Sequence, residues 1–459
     1  MVKLNMLFHL NQLNKSMFAA RLKSFVPDFL IVLFWYLVFL PGRMSVDSAS
    51  TFGLIQQGES TSTQTAIYFR YLQIFSLNGE IYYLVSLINI LTFYSASRFF
   101  CLKMFDSRPK KVLFFRVFLA SPFFGFFGGL ISHELQFVSG SLILLALLKK
   151  DKFSGSIRTV TPRILGIACV GVALANCRWD GIVVTLMFVF LFIPKRTLFK
   201  TAIAATFLFL VFNQSSLLNV EKMPPAFKFA PLIGDIKCIS SDPLVELSVE
   251  DLNFLKQLAG NNYGKLFEPT ACNFADHGFF VFESFQYSDI EFMKGYSRIA
   301  LKNPMLVLNA HIERSRQVLP PILFRSPPNM FDFENDESQF PANTRPGILY
   351  TMRPVQTNGF IQDLQGAVQS ILNLPAYLIN QRSSIWGWGG LWVSIILVLN
   401  WISPKIISRE QILIILAHLG FLFLTIPTID ARYVFLEIFL GILIIPHQLN
   451  SLRHKIREI

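Results

Sequence analysis

Apolar positions gather into long runs separated by short polar connections over residues 1–213 and again over 385–459, with a mixed hydrophilic stretch between them. A helix needs about 20 mostly apolar residues to cross a bilayer, and fewer when its ends snorkel. That criterion predicts about ten membrane helices, at residues 25–41, 81–102, 112–131, 133–148, 161–177, 181–194, 198–213, 385–403, 410–427 and 432–447. The fold class expected is mainly α: a polytopic membrane helix bundle with a mostly helical extracytoplasmic domain.

The charge of the connections orients this arrangement. With the N-terminus inside, the cytoplasmic connections hold Lys103, Arg108, Lys110 and Lys111; Lys149, Lys150, Lys152 and Arg158; Lys195, Arg196 and Lys200; Lys405 and Arg409; and the tail holds Arg453, Lys455 and Arg457. Short connections on the other side are poor in Lys, as the positive-inside rule requires. The expected placement is multi-pass in the inner cell membrane, with both termini cytoplasmic. Three regions follow: an N-terminal membrane region over 1–213 whose first outer loop is 42–80, an extracytoplasmic domain over 214–384, and a C-terminal membrane region with a basic tail over 385–459.

Composition agrees. The 459 residues are 53% hydrophobic and 15% charged, with 48 Phe, whereas an average soluble chain is roughly 25% charged. The net charge of +12 lies mostly in the short connections, so it reads as orientation signal and not as a nucleic-acid surface. Lys3, Lys15, Arg21 and Lys23 precede the first apolar run without a small-residue cleavage site, which reads as an uncleaved first helix.

The long outer region carries soluble-helix signals. In "LSVEDLNFLKQLAG", Ser248 suits an N-cap with Asp251 three positions on, Leu247 and Leu252 can staple, and Gly260 suits the C-terminal cap. In "KNPMLVLNAHIERS", Asn303 suits a cap with Pro304 at the first helical position. "FIQDLQGAVQSILNLPAYLI" reads as an amphipathic helix on the outer surface. Of five cysteines, Cys101, Cys169 and Cys177 lie in or beside apolar runs, while Cys238 and Cys272 fall in the outer region. The latter two can form a disulfide if that region faces an oxidising compartment.

Ionisable residues cluster at the outer ends of the expected helices. Asp47 and Glu59 follow the first; His133 and Glu134 sit between the third and fourth; Arg178 and Asp180 in "NCRWDG" between the fifth and sixth; Asp430 and Arg432 in "PTIDARYVF" between the ninth and tenth. A transport path would place charges at mid-depth, where the sequence offers few. Acids and arginines meeting at one interface suit chemistry on a lipid phosphate: the guanidinium fork of Arg178 or Arg432 matches phosphate oxygens, and a carboxylate can take the proton of an attacking hydroxyl. His133 and Glu59 join the expected substrate-binding set. Plainer readings stand beside these. Asp47 suits the N-cap of a helix starting at Ser48, His133 and Glu134 suit an interfacial turn or a metal, Arg178 with Asp180 and Arg432 with Asp430 suit local pairs, and Trp179 suits the membrane interface as well as a sugar face. The acid run at Asp332, Glu334 and Asp336 lacks the glycine of a calcium loop and reads as a solvated turn. No phosphate-binding glycine loop appears, so a nucleotide site is not expected.

The order of "PGRMSVDSASTFGLIQQGE", "SHEL", "DIKCIS", "LSVEDLNFLKQL", "ALKNPMLVLNAHIERS" and "DARYVF" resembles bacterial membrane glycosyltransferases of the GT-C type, loosely over most of the chain. The resemblance implies a polyprenyl-phosphate-linked sugar donor and an outward-facing site. It also implies Asp47 as general base, Glu134 as the second-loop acid, and Arg432 as the arginine of "DARY". The chain departs from the pattern where many relatives carry a His-Pro pair after the first-loop acid and it reads "ESTSTQTAIYFRYLQ". A divalent metal ion is possible but not required. The expected partners are the lipid-linked donor, a glycan, lipid or protein acceptor, and membrane lipids, with no nucleic acid. A surface-polysaccharide polymerase or ligase, or a transporter or flippase, are the alternatives.

Overall fold

The computed structural model describes residues 26–40, 43–44, 46–60, 64–105, 108–149, 162–192, 197–221, 229–267, 287–315, 318–319, 350–351, 388–402, 406–425 and 434–457. These residues are mostly helical. The apolar runs become α1 (Val26–Phe39), α4 (Tyr82–Met104), α7 (His133–Leu148), α8 (Pro162–Ala175), α9 (Gly181–Phe192), α10 (Thr197–Phe212), α16 (Gly389–Ile402), α17 (Arg409–Thr425) and α18 (Phe435–Arg457). Two segments, Tyr82–Met104 and Phe435–Arg453, are long and apolar enough to cross a membrane. Six more apolar helices are shorter.

The expected single helix over 112–131 is instead broken. Helix α5 (Arg108–Ala120) ends, and α6 (Pro122–Gly128) starts afresh because Ser121 caps it, its hydroxyl accepting from the Phe124 amide at 3.3 Å, with Pro122 at the first turn. A proline there tolerates no preceding helical amide bond and sets a new helix start. Trp35 of α1 fills the space left by Gly125, where an added Cβ would sit 2.3 Å from its ring. The Trp35 indole donates to the Leu119 carbonyl at 2.7 Å.

Helix α7 is the axis of the bundle. Nearly every side chain on it is buried, and it packs on α4, α8, α9, α17 and α18. A helix apolar on all sides belongs in the centre. Small residues set its closest approach: a Cβ on Gly140 would meet the Ala175 amide nitrogen at 2.2 Å and the Gly171 carbonyl at 2.5 Å. Backbones that approach this closely gain dispersion without needing a hydrophobic drive between helices.

At one end of the bundle the loops between helices converge. The two-residue strand β1 (Arg43–Met44) pairs in parallel with β2 (Leu130–Ile131), Arg43 opposite Leu130 and Met44 opposite Ile131, and antiparallel with β3 (Tyr350–Thr351). Helices α2 (Val46–Gln56) and α3 (Ala66–Phe75) follow β1. They share a small core of Phe52, Tyr68, Phe69, Leu72, Ile131 and Cys177. After α10 and the short α11 (Gln214–Leu217), a second lobe holds α12 (Ala230–Ser240), α13 (Val249–Ala259), a 3-10 turn (Gly260–Leu266), α14 (Asp289–Lys302) and α15 (Pro304–Arg314). It has its own core, built on Ile233, Ile236, Leu255, Leu258, Phe292 and Ile299.

The caps of that lobe follow the sequence closely. Ser248 and Asp251 form a reciprocal capping box on α13, and Gly260, with φ of 50°, ends it. Ser288 and Glu291 form a second box on α14. Pro304 starts α15, but the Asn303 side-chain Nδ2 donates back to the Ile299 carbonyl at 3.0 Å instead of the side chain capping forward. The lobe is tied to the bundle where the Ser315 hydroxyl donates to the Phe423 carbonyl at 3.0 Å and the Trp388 indole to the Leu319 carbonyl at 3.0 Å. Cys238 is disulfide-bonded, while Cys101, Cys169 and Cys177 carry free thiols. Cys272, the amphipathic segment over 360–379 and the acid run over 331–340 lie outside the described residues.

Candidate functional site

The β1–β2 pairing brings the first outer loop beside the start of α7. Two residues past β2, His133 and Glu134 open α7, whose N-cap Ser132 accepts from the Leu135 amide at 3.3 Å. Across from them, the Ser48 hydroxyl of α2 lies 2.7 Å from the Tyr68 hydroxyl of α3, and the Tyr68 ring meets the His133 ring edge-on at 5.5 Å. Burial pushes the Tyr68 phenol well above its ordinary range, and the nearby Glu134 carboxylate adds to the effect. Tyr68 therefore remains a neutral hydroxyl, a donor and not a base.

Asp47 is the second residue of α2, which starts at Val46. The reading of Asp47 as N-cap of a helix beginning at Ser48 is thereby corrected: the helix starts earlier, because β1 ends at Met44 and leaves only one residue before it. Glu59 is exposed on the turn past the far end of α2. At about 1.5 Å of rise per residue, α2 separates it from the Asp47 end. Arg432 and Asp430 lie outside the described residues.

The turn between α8 and α9 supplies the third component. Thr65, the cap of α3, donates to the Cys177 carbonyl at 2.9 Å and locks this turn to the first loop. The Asn176 amide donates to Thr185 at 3.0 Å and shapes the turn from within. Arg178 Nε lies 3.3 Å from Asp180 Oδ1, with both side chains nearly buried. The Arg178 guanidinium also stands over the Phe137 ring at 5.6 Å, a cation–π placement favoured where water is excluded. Trp179, between them, is 39% exposed, as suits a residue at the rim.

Two residues that the sequence reading passed over complete the cluster. His418, in the middle of α17, is fully buried; its Nε2 lies 3.1 Å from Asp180 Oδ2 and its Nδ1 lies 2.7 Å from Glu437 Oε1 of α18. The Phe137 ring packs on the imidazole at 5.1 Å. Desolvation pushes the Asp180 carboxyl up, yet Arg178 and His418 outweigh it and hold the group below the usual carboxylate range. A buried ring of opposite charges like this costs several kcal/mol per ion to desolvate and survives only when each charge is met. His133 Nε2 also lies 3.3 Å from Glu134 Oε1.

His418 lies in the middle of α17, whereas Glu437 is in the first turn of α18. In the first turn of α1, Asp28 pairs with Arg116 Nε at 2.8 Å and accepts from Tyr94, which in turn accepts from Arg98 at 3.0 Å. A lone ionisable residue in an apolar run is itself a signal of function, and "LAHLGF" and "FLEIFL" carried it.

Chemically, the cluster offers a neutral phenol and hydroxyl (Tyr68, Ser48), a histidine–carboxylate pair (His133, Glu134), and a guanidinium anchored by a carboxylate (Arg178, Asp180). Among the described residues no group of three or more His, Cys, Asp or Glu is arranged to hold a metal ion. Searches of family models, of curated proteins and of solved structures find no match to this chain.

Proposed function

We propose that this protein is a polytopic membrane glycosyltransferase of the GT-C type, moving a sugar from a polyprenyl-phosphate donor to an envelope glycan, lipid or protein acceptor on the outer side of the inner membrane. The observation that carries the reading is the gathering of loops 43–48, 130–134 and 176–180 around one buried set of acids, hydroxyls and a guanidinium. The disulfide at Cys238 supports an oxidising compartment for the second lobe. The shorter apolar helices reach across a bilayer by snorkelling and by local thinning.

In this reading Asp47, at the start of α2, takes the proton of the acceptor hydroxyl as its oxygen bonds to the donor sugar carbon. The bond from that carbon to the phosphate oxygen breaks, and the electron pair leaves on the phosphate. Arg178 meets the charge that develops there, and its worth is greatest in the water-poor setting seen around it. Glu134 and His133 orient the acceptor, with the Tyr68 hydroxyl as a fixed donor. Arg432 is proposed as a second phosphate ligand.

The test is transfer from a polyprenyl-phosphate-linked sugar by purified full-length protein. Asp47→Asn is expected to abolish transfer with expression and membrane insertion unchanged. Full activity in that variant removes Asp47 from the mechanism.

A second reading, a transporter or flippase, is favoured by the buried His418 between two carboxylates, a pattern used in proton relays. Flipping or uptake by reconstituted protein without sugar transfer decides for it. Transfer in detergent, where no compartments exist, decides against it.

A further inference from the structure

His418 stands apart from the transfer chemistry: it belongs to a helix interior, and both its ring nitrogens face carboxylate oxygens. An ionised carboxylate only accepts hydrogen bonds. A neutral imidazole has one N–H to give, so it satisfies either Asp180 or Glu437 and turns a lone pair on the other. Both contacts, at 3.1 and 2.7 Å, are met only when the trio holds a further proton, most simply as an imidazolium. Arg178 and the imidazolium then stand against Asp180 and Glu437 in a nearly dry place, with the His133–Glu134 pair beside them.

Resting on the glycosyl-transfer reading, we infer that His418 is a positioning residue whose doubly protonated ring ties Asp180, and through it the phosphate-binding Arg178, to Glu437 of the C-terminal helix. The link runs from the α8–α9 turn through α17 to α18, joining the N-terminal loops of the site to the last membrane helices. When the ring loses a proton, one carboxylate loses its partner. The Asp180 carboxylate then turns or draws Arg178 toward itself, and the guanidinium is displaced from the position proposed for the phosphate.

The groups around the ring on every packed element bear on this. Helix α7 brings His133 and Glu134 near Asp180, and the α8–α9 turn brings Arg178 and Asp180. Helix α18 brings Glu437. Helix α9 contributes no titratable residue, its sequence being GIVVTLMFVFLF. Helix α15 packs near the outer end of α17 with His311, whose ring lies 6.5 Å from Phe423, and with Arg314, both bound to Asp235. On α17 itself the other charges, Arg409 and Glu410, are at its opposite end.

The experiment follows two quantities against pH in full-length protein in detergent: the thermal midpoint, and sugar transfer from a polyprenyl-phosphate donor, for wild type, His418→Gln and Glu437→Gln. Stabilisation that depends on a held proton is present at low pH and is lost as pH rises through the folded-state titration. The wild type is expected to show an alkaline limb in both quantities, with KM for the donor rising along the limb more than kcat falls. Glu437→Gln, nearly isosteric, removes one anion and is expected to move both limbs to lower pH by a unit or more. His418→Gln is expected to erase them. A thermal limb that Glu437→Gln leaves in place, or a transfer limb that His418→Gln leaves in place, overturns the inference. Should the wild type transfer no sugar at any pH, the glycosyltransferase reading falls on that result alone. The thermal limb and its displacement in Glu437→Gln still decide whether the ring holds its second proton.

Discussion

The second lobe and the loop-bearing end of the helix bundle both hold buried aspartates, and Asp251 and Asp180 are used differently. Asp251 in the lobe accepts from the Ser248 amide and hydroxyl three residues away, and from Arg298 and Lys302 one helix over. Its ligands come largely from a local motif, and Lys302 stays half exposed. Asp180 at the bundle end is held by Arg178 two residues away and by His418, separated from it by 238 positions. The first arrangement is a helix start that acquired charged neighbours. The second closes a contact between the N-terminal and C-terminal halves of the chain, in a place where little water remains to replace a missing partner.

That contrast sets the order of expected effects, and the largest is at Asp180. Truncation to Ala leaves Arg178 without its anion and His418 with one ring nitrogen facing nothing. Breaking a buried pair from one side costs about 3–5 kcal/mol. The thermal midpoint of the purified protein in detergent is expected to fall more for Asp180→Ala than for Asp251→Ala. An equal fall in Asp251→Ala ends the distinction between the two sites. The Cys238 disulfide comes next: removing a native disulfide costs about 2–4 kcal/mol. Cys238→Ser is expected to loosen the lobe alone, read as faster proteolysis of residues 229–315 with the bundle left resistant.

How much of this was legible in the sequence follows the same division. Ser248 with Asp251, Gly260, Pro304, and the bounds of α7, α8 and α9 are written in neighbouring residues, because caps and apolar runs act over a few positions. The break at Ser121–Pro122 carried the same kind of signal, a hydroxyl cap before a proline, but the apolar run across it hid the turn. His133, Glu134, Arg178 and Asp180 were readable as candidates because charge at a helix end stands out. Their convergence at one interface was expected from the alternation of the connections; the contacts that make it, such as the parallel pairing of Arg43–Met44 with Leu130–Ile131 and the Thr65 bond to Cys177, have no local pattern that announces them. His418 and Glu437 were visible as single polar letters in apolar runs, yet their pairing is a fact of three-dimensional packing.

A smaller effect is expected at Asp251, where pH sharpens the comparison. Desolvation raises this carboxyl, but hydrogen bonds from Lys302, Ser248 and Arg298 hold it well below the usual range. A depressed folded value gives stability that is fully present above the unfolded pKa of about 3.9 and is lost as pH falls through the folded one. The second lobe is therefore expected to weaken on acidification below about pH 4, and Asp251→Asn to flatten that response. Asp251→Ala at neutral pH is expected to cost roughly 1–2 kcal/mol, the scale of a lost cap. The His418 bridge adds an alkaline limb, weakening as pH rises, while the depressed Asp180 gives the bundle end an acid limb of its own, so the alkaline limb is the one that separates the regions.

The smallest effect is expected at Glu250, next to Asp251 in sequence and sharing its partner Arg298, but with a side chain 73% exposed. Water and salt already solvate that carboxylate, and holding two long side chains in one geometry costs entropy, so exposed pairs contribute about 0–1 kcal/mol. Glu250→Gln should shift the thermal midpoint within error in moderate salt, and any shift at low salt should vanish as ionic strength rises. The pair thus serves as the control for the whole comparison. One guanidinium serves two adjacent acids, which differ in burial and in the donors from Ser248 and Lys302 that reach Asp251. If Glu250→Gln destabilised the lobe as much as Asp251→Asn, burial would not be what gives these charges their weight. The large effect predicted at Asp180 would then lose its physical ground, because it depends on exactly the same exclusion of water carried further.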